Sequence, residues 1–97
     1  MNQSKSTRIV RVNNRQGVHA RAATLIAEVV RRHQSKVSLR KGPERVEGTD
    51  VLQIMSLGAG EGDEVILEAA GNDAEVVLDA LTALFDGHFG NEDDPTD

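Results

Sequence analysis

The sequence predicts an α+β domain in which helices cover one face of a four-stranded antiparallel sheet. Two segments carry the apolar stripe of an amphipathic helix, and others show the alternation or the β-branched content typical of strands. The predicted elements follow one another as βα–ββ–α–β–α. They fit within 97 residues, a length that supports one hydrophobic core.

Four segments have the pattern of strands. Residues 8–12 are rich in β-branched side chains, and Lys36–Lys41 alternates strictly between polar and apolar residues. The Gly42-Pro43 turn makes Glu44–Glu47 the second arm of a hairpin. Residues 63–69 supply the fourth strand.

The first helix is predicted over residues 20–33, where the apolar residues recur at the spacing of one helical face. That stripe consists of Ala22, Leu25, Ile26, Val29 and Val30. A short helix is predicted over residues 51–57, capped by Asp50 and closed by Gly58.

A third helix is predicted after Asn72, which can act as its N-cap, with Glu75 at the third position as in a capping box. Gly87 or Gly90 ends it. Its apolar stripe consists of Val77, Leu78, Leu81, Leu84 and Phe85.

Residues 1–97 are expected to form a single domain. Its folded core should span about residues 7–89. Residues 1–6 are predicted to be a flexible start, and the acidic residues 91–97 a disordered tail.

Composition excludes several classes of function. The net charge of −5 argues against a general binder of nucleic-acid backbones, and the absence of Trp and Tyr argues against base stacking. Without cysteine there can be no disulfide or thiolate chemistry, which fits a reducing cytoplasm. No signal peptide is evident, and no apolar run reaches the roughly 20 residues needed for membrane insertion.

Metal binding is also not expected. The three histidines, His19, His33 and His88, are far apart in the sequence and form no i, i+4 pair. The sequence therefore indicates no metal site, and no cofactor is expected.

The most informative segment is residues 17–24, in which a glycine turn brings His19 to the start of the first helix. The N–H groups of a first helical turn and the positive end of the helix dipole together favour an anion. Neutral imidazole is a nucleophile, and Arg21 follows two residues later. The segment therefore predicts a site where a histidine accepts and releases a phosphoryl group.

Three segments resemble the HPr family, the histidine-containing phosphocarriers of the bacterial phosphotransferase system. Residues 17–24 resemble the active-site signature of that family, residues 48–58 its regulatory helix, and residues 62–67 its fourth strand. The resemblance covers about residues 7–89, and the spacing between the three segments matches.

The resemblance implies an open-faced β-sandwich, with four antiparallel strands under three helices. It implies that the Nδ1 atom of His19 receives phosphate from phospho-enzyme I, which takes it from phosphoenolpyruvate. The group would then pass to enzyme IIA domains for sugar uptake or regulation. Arg21 would neutralise the phosphate, and the N–H groups of Ala20 and Arg21 would hold its oxygens.

The resemblance also implies a partner surface made of Ala20, Thr24, Val51, Leu52 and Met55. The apolar residues of the short helix cover more than one stripe, so from the residues alone they could be core, docking surface or a division between the two. Such a protein would be a stoichiometric carrier rather than a turnover enzyme, and we expect a monomer.

The chain departs from the family at two positions. The family usually has proline where Ala22 stands, and alanine preserves the helix with one more unbonded N–H. Asp50 stands where many members have a serine that a dedicated kinase phosphorylates. Asp50 is interpreted first as a helix N-cap and second as a permanent charge that imitates phosphoserine.

Two other functions remain open from the sequence. The chain could be a non-carrier regulatory module that docks on a transcription factor or an enzyme, although relatives of that kind lack the active-site histidine. It could also be a small ligand-binding or structural α/β domain with a chance match.

Overall fold

The computed structural model of the chain describes residues 5–90. The strands are β1 (Lys5–Arg11), β2 (Lys36–Lys41), β3 (Glu44–Glu47) and β4 (Glu64–Ala70). The helices are α1 (Ala20–Arg31), α2 (Val51–Ser56) and α3 (Ala74–Asp86), and a short 3-10 turn follows at His88–Gly90.

The four strands form one antiparallel sheet in the order β1-β4-β2-β3. β4 lies between β1 and β2, while β1 and β3 are the edges. All seven β4 residues pair with β1, and the five at 66–70 also pair with β2. Three helices pack over one face, and the predicted open-faced α+β sandwich is confirmed.

The hydrophobic core lies between the sheet and the helices, because alternate strand residues point to the helical layer. On β4 these are Val65, Leu67 and Ala69, each no more than 1% exposed. The largest fully buried side chains are Phe85, Phe89, Ile26, Leu39, Ile54, Leu67, Leu78 and Leu81.

The other face of the sheet is polar and open. The Glu68 carboxylate on β4 lies 3.4 Å from Nη2 of Arg40 on β2 and 3.6 Å from Nη2 of Arg45 on β3. These ion pairs join three neighbouring strands. Ile9, which pairs with Ile66, is 62% exposed on the same face. This polar pattern explains why all three helices collect on the opposite side.

The boundaries of several elements differ from the sequence prediction. β1 begins at Lys5, so Lys5 and Ser6 are strand residues and not part of a flexible start, because they pair with Ala70 and Ala69 of β4. α1 ends at Arg31, two residues before its predicted end. β4 begins and ends one residue later than predicted. Residues 1–4 and the predicted acidic tail at 91–97 lie outside the described residues.

The start of α3 corrects another prediction. Asp73, and not Asn72, is its N-cap, and the Asp73 carboxylate makes no capping bond. Instead it accepts hydrogen bonds from the Ser35 hydroxyl and from the backbone N–H groups of Gln34 and Ser35. These bonds, the Ser35 hydroxyl first, lower the pKa of Asp73 to about 2. Asp73 therefore ties the start of α3 to the α1–β2 connection.

Candidate functional site

A tight loop between β1 and α1 delivers His19 to the start of the helix. The backbone N–H of Val18 donates to the Ala59 carbonyl at 2.9 Å, which binds this loop to the loop before β4. Gly17 has a φ of +68°, and a Cβ there would come within 2.6 Å of the Ala59 oxygen and 2.9 Å of the Gly60 Cα. Glycine satisfies both the backbone conformation and the limited space.

The first turn of α1 presents unbonded donors beside His19. His19 is the N-cap, with extended backbone angles, and its carbonyl accepts the N–H of Ala23 at 2.8 Å. The N–H groups of Ala20, Arg21 and Ala22 have no backbone acceptor within residues 5–90. No acidic residue lies in this turn. The helix start therefore keeps the donors and the positive dipole end that suit an anion.

The two ring nitrogens of His19 have different surroundings. The side chain is half-buried, and Nε2 is enclosed without a hydrogen-bond partner in the described part of the chain. Nδ1 is not enclosed in this way, and the ring makes no capping bond to the helix. Of the two ring nitrogens, only Nε2 is both enclosed and without a partner in the described part of the chain.

Arg21 has an exposed side chain, and no carboxylate of residues 5–90 lies within ion-pair distance of it. Its guanidinium extends toward Gly90, where an added Cβ would lie 4.0 Å from Nη2. Gly90 is held there because the preceding Phe89 is buried and packs edge-on against Phe85, with 4.9 Å between the two ring centroids. The guanidinium thus has no ion-pair partner within residues 5–90.

Asn14 also belongs to this junction, although sequence reasoning assigned it only to a loop. Its Nδ2 donates to the Gly17 carbonyl at 2.9 Å, and the same oxygen accepts the backbone N–H of His19 at 3.1 Å. Asn14 Oδ1 is enclosed and has no partner among the described residues. No periodicity or motif marks such a residue, because its contact depends on the shape of the turn.

The residues predicted for a partner surface are mostly exposed. Ala20 and Thr24 are exposed on α1, where the Thr24 hydroxyl donates to the Ala20 carbonyl at 2.9 Å. On the neighbouring α2, Leu52 is 77% and Met55 38% exposed, while Val51 is half-buried against the core.

The apolar residues of α2 are therefore divided between two environments. Ile54 within the helix and Leu57 at its C-cap are buried, at 0% and 5% exposure, and they anchor it to the core. Leu52 and Met55 lie on the solvent side. Of the three alternatives left open by the sequence, the division between core and surface is the one observed.

Asp50 is the N-cap of α2. Its Oδ1 accepts the backbone N–H of Gln53 at 3.0 Å, and the Gln53 side chain in turn accepts the backbone N–H of Glu47 at 3.1 Å. These two bonds satisfy one donor at the helix start and one at the end of β3. The prediction of a capping aspartate is confirmed.

Within residues 5–90, no three His, Asp or Glu side chains converge in a way that could hold a metal ion. The helices of this part of the chain are too short or too polar to cross a membrane.

Comparison with known proteins gives one family. The family model described as "PTS HPr component phosphorylation site" matches residues 6–86. The phosphocarrier protein HPr of Treponema pallidum is 40% identical over 83 residues, which cover 86% of this chain and 94% of that protein. The phosphocarrier protein NPr of Shewanella violacea is 34% identical over 86 residues, which cover 89% of this chain and 94% of that protein.

A solved structure of HPr-C-His from Thermoanaerobacter tengcongensis is similar in fold, with a TM-score of 0.85. It is 32% identical and covers 90% of this chain and 98% of its own. Sequence and fold thus define the same class, a phosphocarrier domain. The chain belongs to the HPr family, and its role is that of a phosphocarrier in the phosphotransferase system.

Proposed function

We propose that the chain carries its phosphoryl group on Nδ1 of His19, taking it from phospho-enzyme I and passing it to enzyme IIA domains. Two observations support this proposal: the N–H groups of the first turn of α1 are unbonded, and Nδ1, unlike Nε2, is not an enclosed atom without a partner. Neutral imidazole supplies the lone pair that attacks phosphorus. The N–H groups of Ala20 and Arg21 bind the phosphoryl oxygens, as helix starts commonly do.

Arg21 completes the site by neutralising charge on the phosphoryl group. Its guanidinium has no carboxylate partner within residues 5–90, so binding the group does not require an existing ion pair to break. The binding must nevertheless stay modest, because stabilisation of the loaded state slows onward transfer. An exposed arginine and a solvent-facing helix start suit that balance, since water screens both. The chain acts as a stoichiometric carrier and needs no cofactor.

The partner surface is proposed to consist of Ala20 and Thr24 on α1 with Val51, Leu52 and Met55 on α2. Exposed apolar side chains on a short helix are typical of docking sites, and methionine adapts to more than one partner. Because α1 and α2 pack together, one partner can contact this surface and reach His19. We place the transfer in the cytoplasm, with this chain acting as a monomer and with no nucleic acid and no direct membrane insertion involved.

The test is incorporation of phosphate from labelled phosphoenolpyruvate in the presence of enzyme I. Wild type and His33→Ala should be labelled, and His19→Ala should not. The bond should be labile in mild acid, as phosphoramidates are, and nitrogen NMR of the loaded protein should place phosphorus on Nδ1. Labelling of His19→Ala, or a label that survives acid, would contradict the assignment.

The exposed surface of α2 does not by itself separate a carrier from the alternative, a regulatory module that docks without transferring phosphate. The exposed Leu52 and Met55 suit docking whether or not transfer occurs. The same experiment separates the two functions, because a docking module would bind its partner while wild type stayed unlabelled.

A further inference from the structure

The loop that delivers His19 rests on the loop before β4, residues 58–63, which we call the supporting loop. The backbone N–H of Val18 donates to the carbonyl of Ala59 in this loop at 2.9 Å. Both residues are buried, so water competes little for that bond. Since Val18 directly precedes His19, the position of the Ala59 carbonyl helps to set where the His19 backbone lies.

The supporting loop is constrained by one of its own side chains, that of Asp63. Three of its six residues are glycine, the residue with the greatest conformational freedom, so the backbone alone would hold one conformation weakly. The Oδ2 atom of Asp63 accepts the Gly60 N–H at 2.9 Å, and the Asp63 N–H donates to the Gly60 carbonyl at 2.9 Å. The turn from Gly60 to Asp63 is thus closed by two hydrogen bonds, one of them from a side chain.

The same loop is bonded to the end of β1. The Val12 N–H donates to the Asp63 carbonyl at 2.9 Å, and the Val12 carbonyl accepts the Gly62 N–H at 2.7 Å. The supporting loop therefore contacts the chain on both sides of the turn that leads to His19, at Val12 before it and at Val18 after it. The Asp63 side chain joins these two places of contact, because it links the residue bonded to Val12 with the residue next to Ala59.

Lys41 on β2 contacts the supporting loop at both of its ends. Its Nζ donates to the Gly58 carbonyl at 3.2 Å and lies 3.6 Å from Oδ2 of Asp63. The bond from the Gly60 N–H, ahead of the charge of Lys41, holds the pKa of Asp63 below its ordinary value. Because both charged side chains are partly exposed, solvent screens the ion pair, and the bond to Gly60 is the main constraint.

We propose that Asp63 is a positioning residue for phosphoryl transfer: its carboxylate holds the supporting loop in the conformation that binds the Val18 N–H and so places His19. The proposal rests on the proposed function, in which His19 is the phosphoryl acceptor. Asp63 does not touch the phosphoryl group and acts only through the backbone. Such a residue can still govern the rate, because a displacement of about 1 Å at a reacting atom can slow a reaction on the order of 100-fold.

The first measurement is hydrogen exchange of the Val18 N–H, followed by NMR in the unphosphorylated full chain. The Gly48 N–H, which donates to the Val37 carbonyl on β2, serves as a reference within each protein. Wild type is compared with Asp63→Ala and with Asp63→Asn, which keeps an oxygen that can accept the Gly60 N–H.

Asp73→Ala is the matched control. Asp73 is also partly exposed, and its carboxylate also accepts backbone N–H groups, but at the connection between α1 and β2. The second measurement is the rate of phosphoryl transfer from phospho-enzyme I, taken together with the affinity for enzyme I. Both are measured at a temperature where all the variants are folded.

In Asp63→Ala the Val18 N–H should exchange about tenfold faster, relative to the Gly48 N–H, than in wild type, the effect expected for one lost hydrogen bond. The transfer step should be about tenfold slower, with the affinity for enzyme I unchanged. Asp63→Asn should restore both values toward wild type. Asp73→Ala should show neither the faster exchange at Val18 nor the slower transfer.

Wild-type exchange at Val18 in Asp63→Ala, or a wild-type transfer rate, would overturn the proposal. Equal slowing of transfer in Asp63→Ala and Asp73→Ala would also overturn it, since a general loss of stability would then explain both. If Asp63→Ala does not fold, Asp63→Glu replaces it, because glutamate keeps the charge and moves the carboxylate one methylene from Gly60; changes in the same direction are expected. The exchange measurement needs no phosphate donor. A failure of wild type to accept phosphate would therefore refute the proposed function separately from the constraint that Asp63 supplies.

Discussion

Replacement of Gly17 by alanine tests whether the contact between two loops sets the position of His19. The added Cβ should lower the free energy of unfolding for two separate reasons. One is the left-handed backbone at φ +68°, and the other is the approach to the Ala59 oxygen at 2.6 Å and to the Gly60 Cα at 2.9 Å. Both of these atoms belong to backbone, so neither can move aside by changing a rotamer.

The expected loss of stability in Gly17→Ala can be worked out by comparison with a second glycine, Gly42. Gly42 has a similar φ of +58°, but an added Cβ there would meet nothing within 4 Å. Gly42→Ala should therefore cost only the left-handed conformation, about 1–2 kcal/mol. Gly17→Ala should cost that amount and a further 1–3 kcal/mol, roughly, for displacing the Ala59–Gly60 backbone. Its free energy of unfolding should thus fall by roughly 2–5 kcal/mol, a large part of what a small domain has.

The assay is urea denaturation followed by circular dichroism, combined with the rate of phosphoryl transfer where each variant is still folded. Folded Gly17→Ala should transfer more slowly than folded Gly42→Ala, because the loop that delivers His19 has moved. If the two variants lose the same stability, to within about 0.5 kcal/mol, the contact with Ala59 does not constrain the loop and the reasoning is wrong.

Three further predictions concern two exposed side chains, Arg21 and Leu52, and the hydrogen-bonded carboxylate of Asp73. Arg21→Ala should transfer phosphate at least about tenfold more slowly than Arg32→Ala, a control at another exposed arginine. Each variant should change the free energy of unfolding by no more than about 0.5 kcal/mol. Equal transfer rates would contradict a role in neutralising phosphate. Leu52→Glu should lower the affinity for enzyme I measured by calorimetry and leave its circular dichroism unchanged. Val76→Glu, at another exposed apolar residue, should bind enzyme I with the wild-type affinity. Equal affinity of the two variants would exclude Leu52 from the interface. The folded pKa of Asp73, about 2, lies below its ordinary value of 3.8, so its contribution to stability is present above about pH 4 and lost as the pH falls toward 2. Asp73→Asn should remove that part of the pH dependence in acid-unfolding curves, and an acid transition like that of wild type would show that Asp73 does not contribute.

Local patterns in the sequence were sufficient for the elements and for the centre of the site. Alternation on β2 and the apolar stripes of α1 and α3 depend only on neighbouring residues, so they were visible before any packing was known. His19 and Arg21 were found for the same reason, since a helix start and the residues in its first turn are adjacent in the chain. The capping role of Asp50 was likewise local.

Predictions failed where two competing local signals had to be decided by a distant partner. Asn72 and Asp73 are both good capping residues, but only contact with Ser35, 38 positions earlier, determines which one is used and how. The strand role of Lys5 and Ser6 is set in the same way, because it requires pairing with the end of β4. A polar segment carries no local sign of such pairing.

The sequence by itself determined the order of strands and helices and the placing of His19 and Arg21 at a helix start, because each depends on residues within one or two turns of chain. Only the tertiary structure decided which apolar residues of α2 reach solvent and why position 17 must be glycine. Each of these depends on which atoms a neighbouring element places nearby. The packing of elements fixes that placement, and a one-dimensional pattern does not contain it.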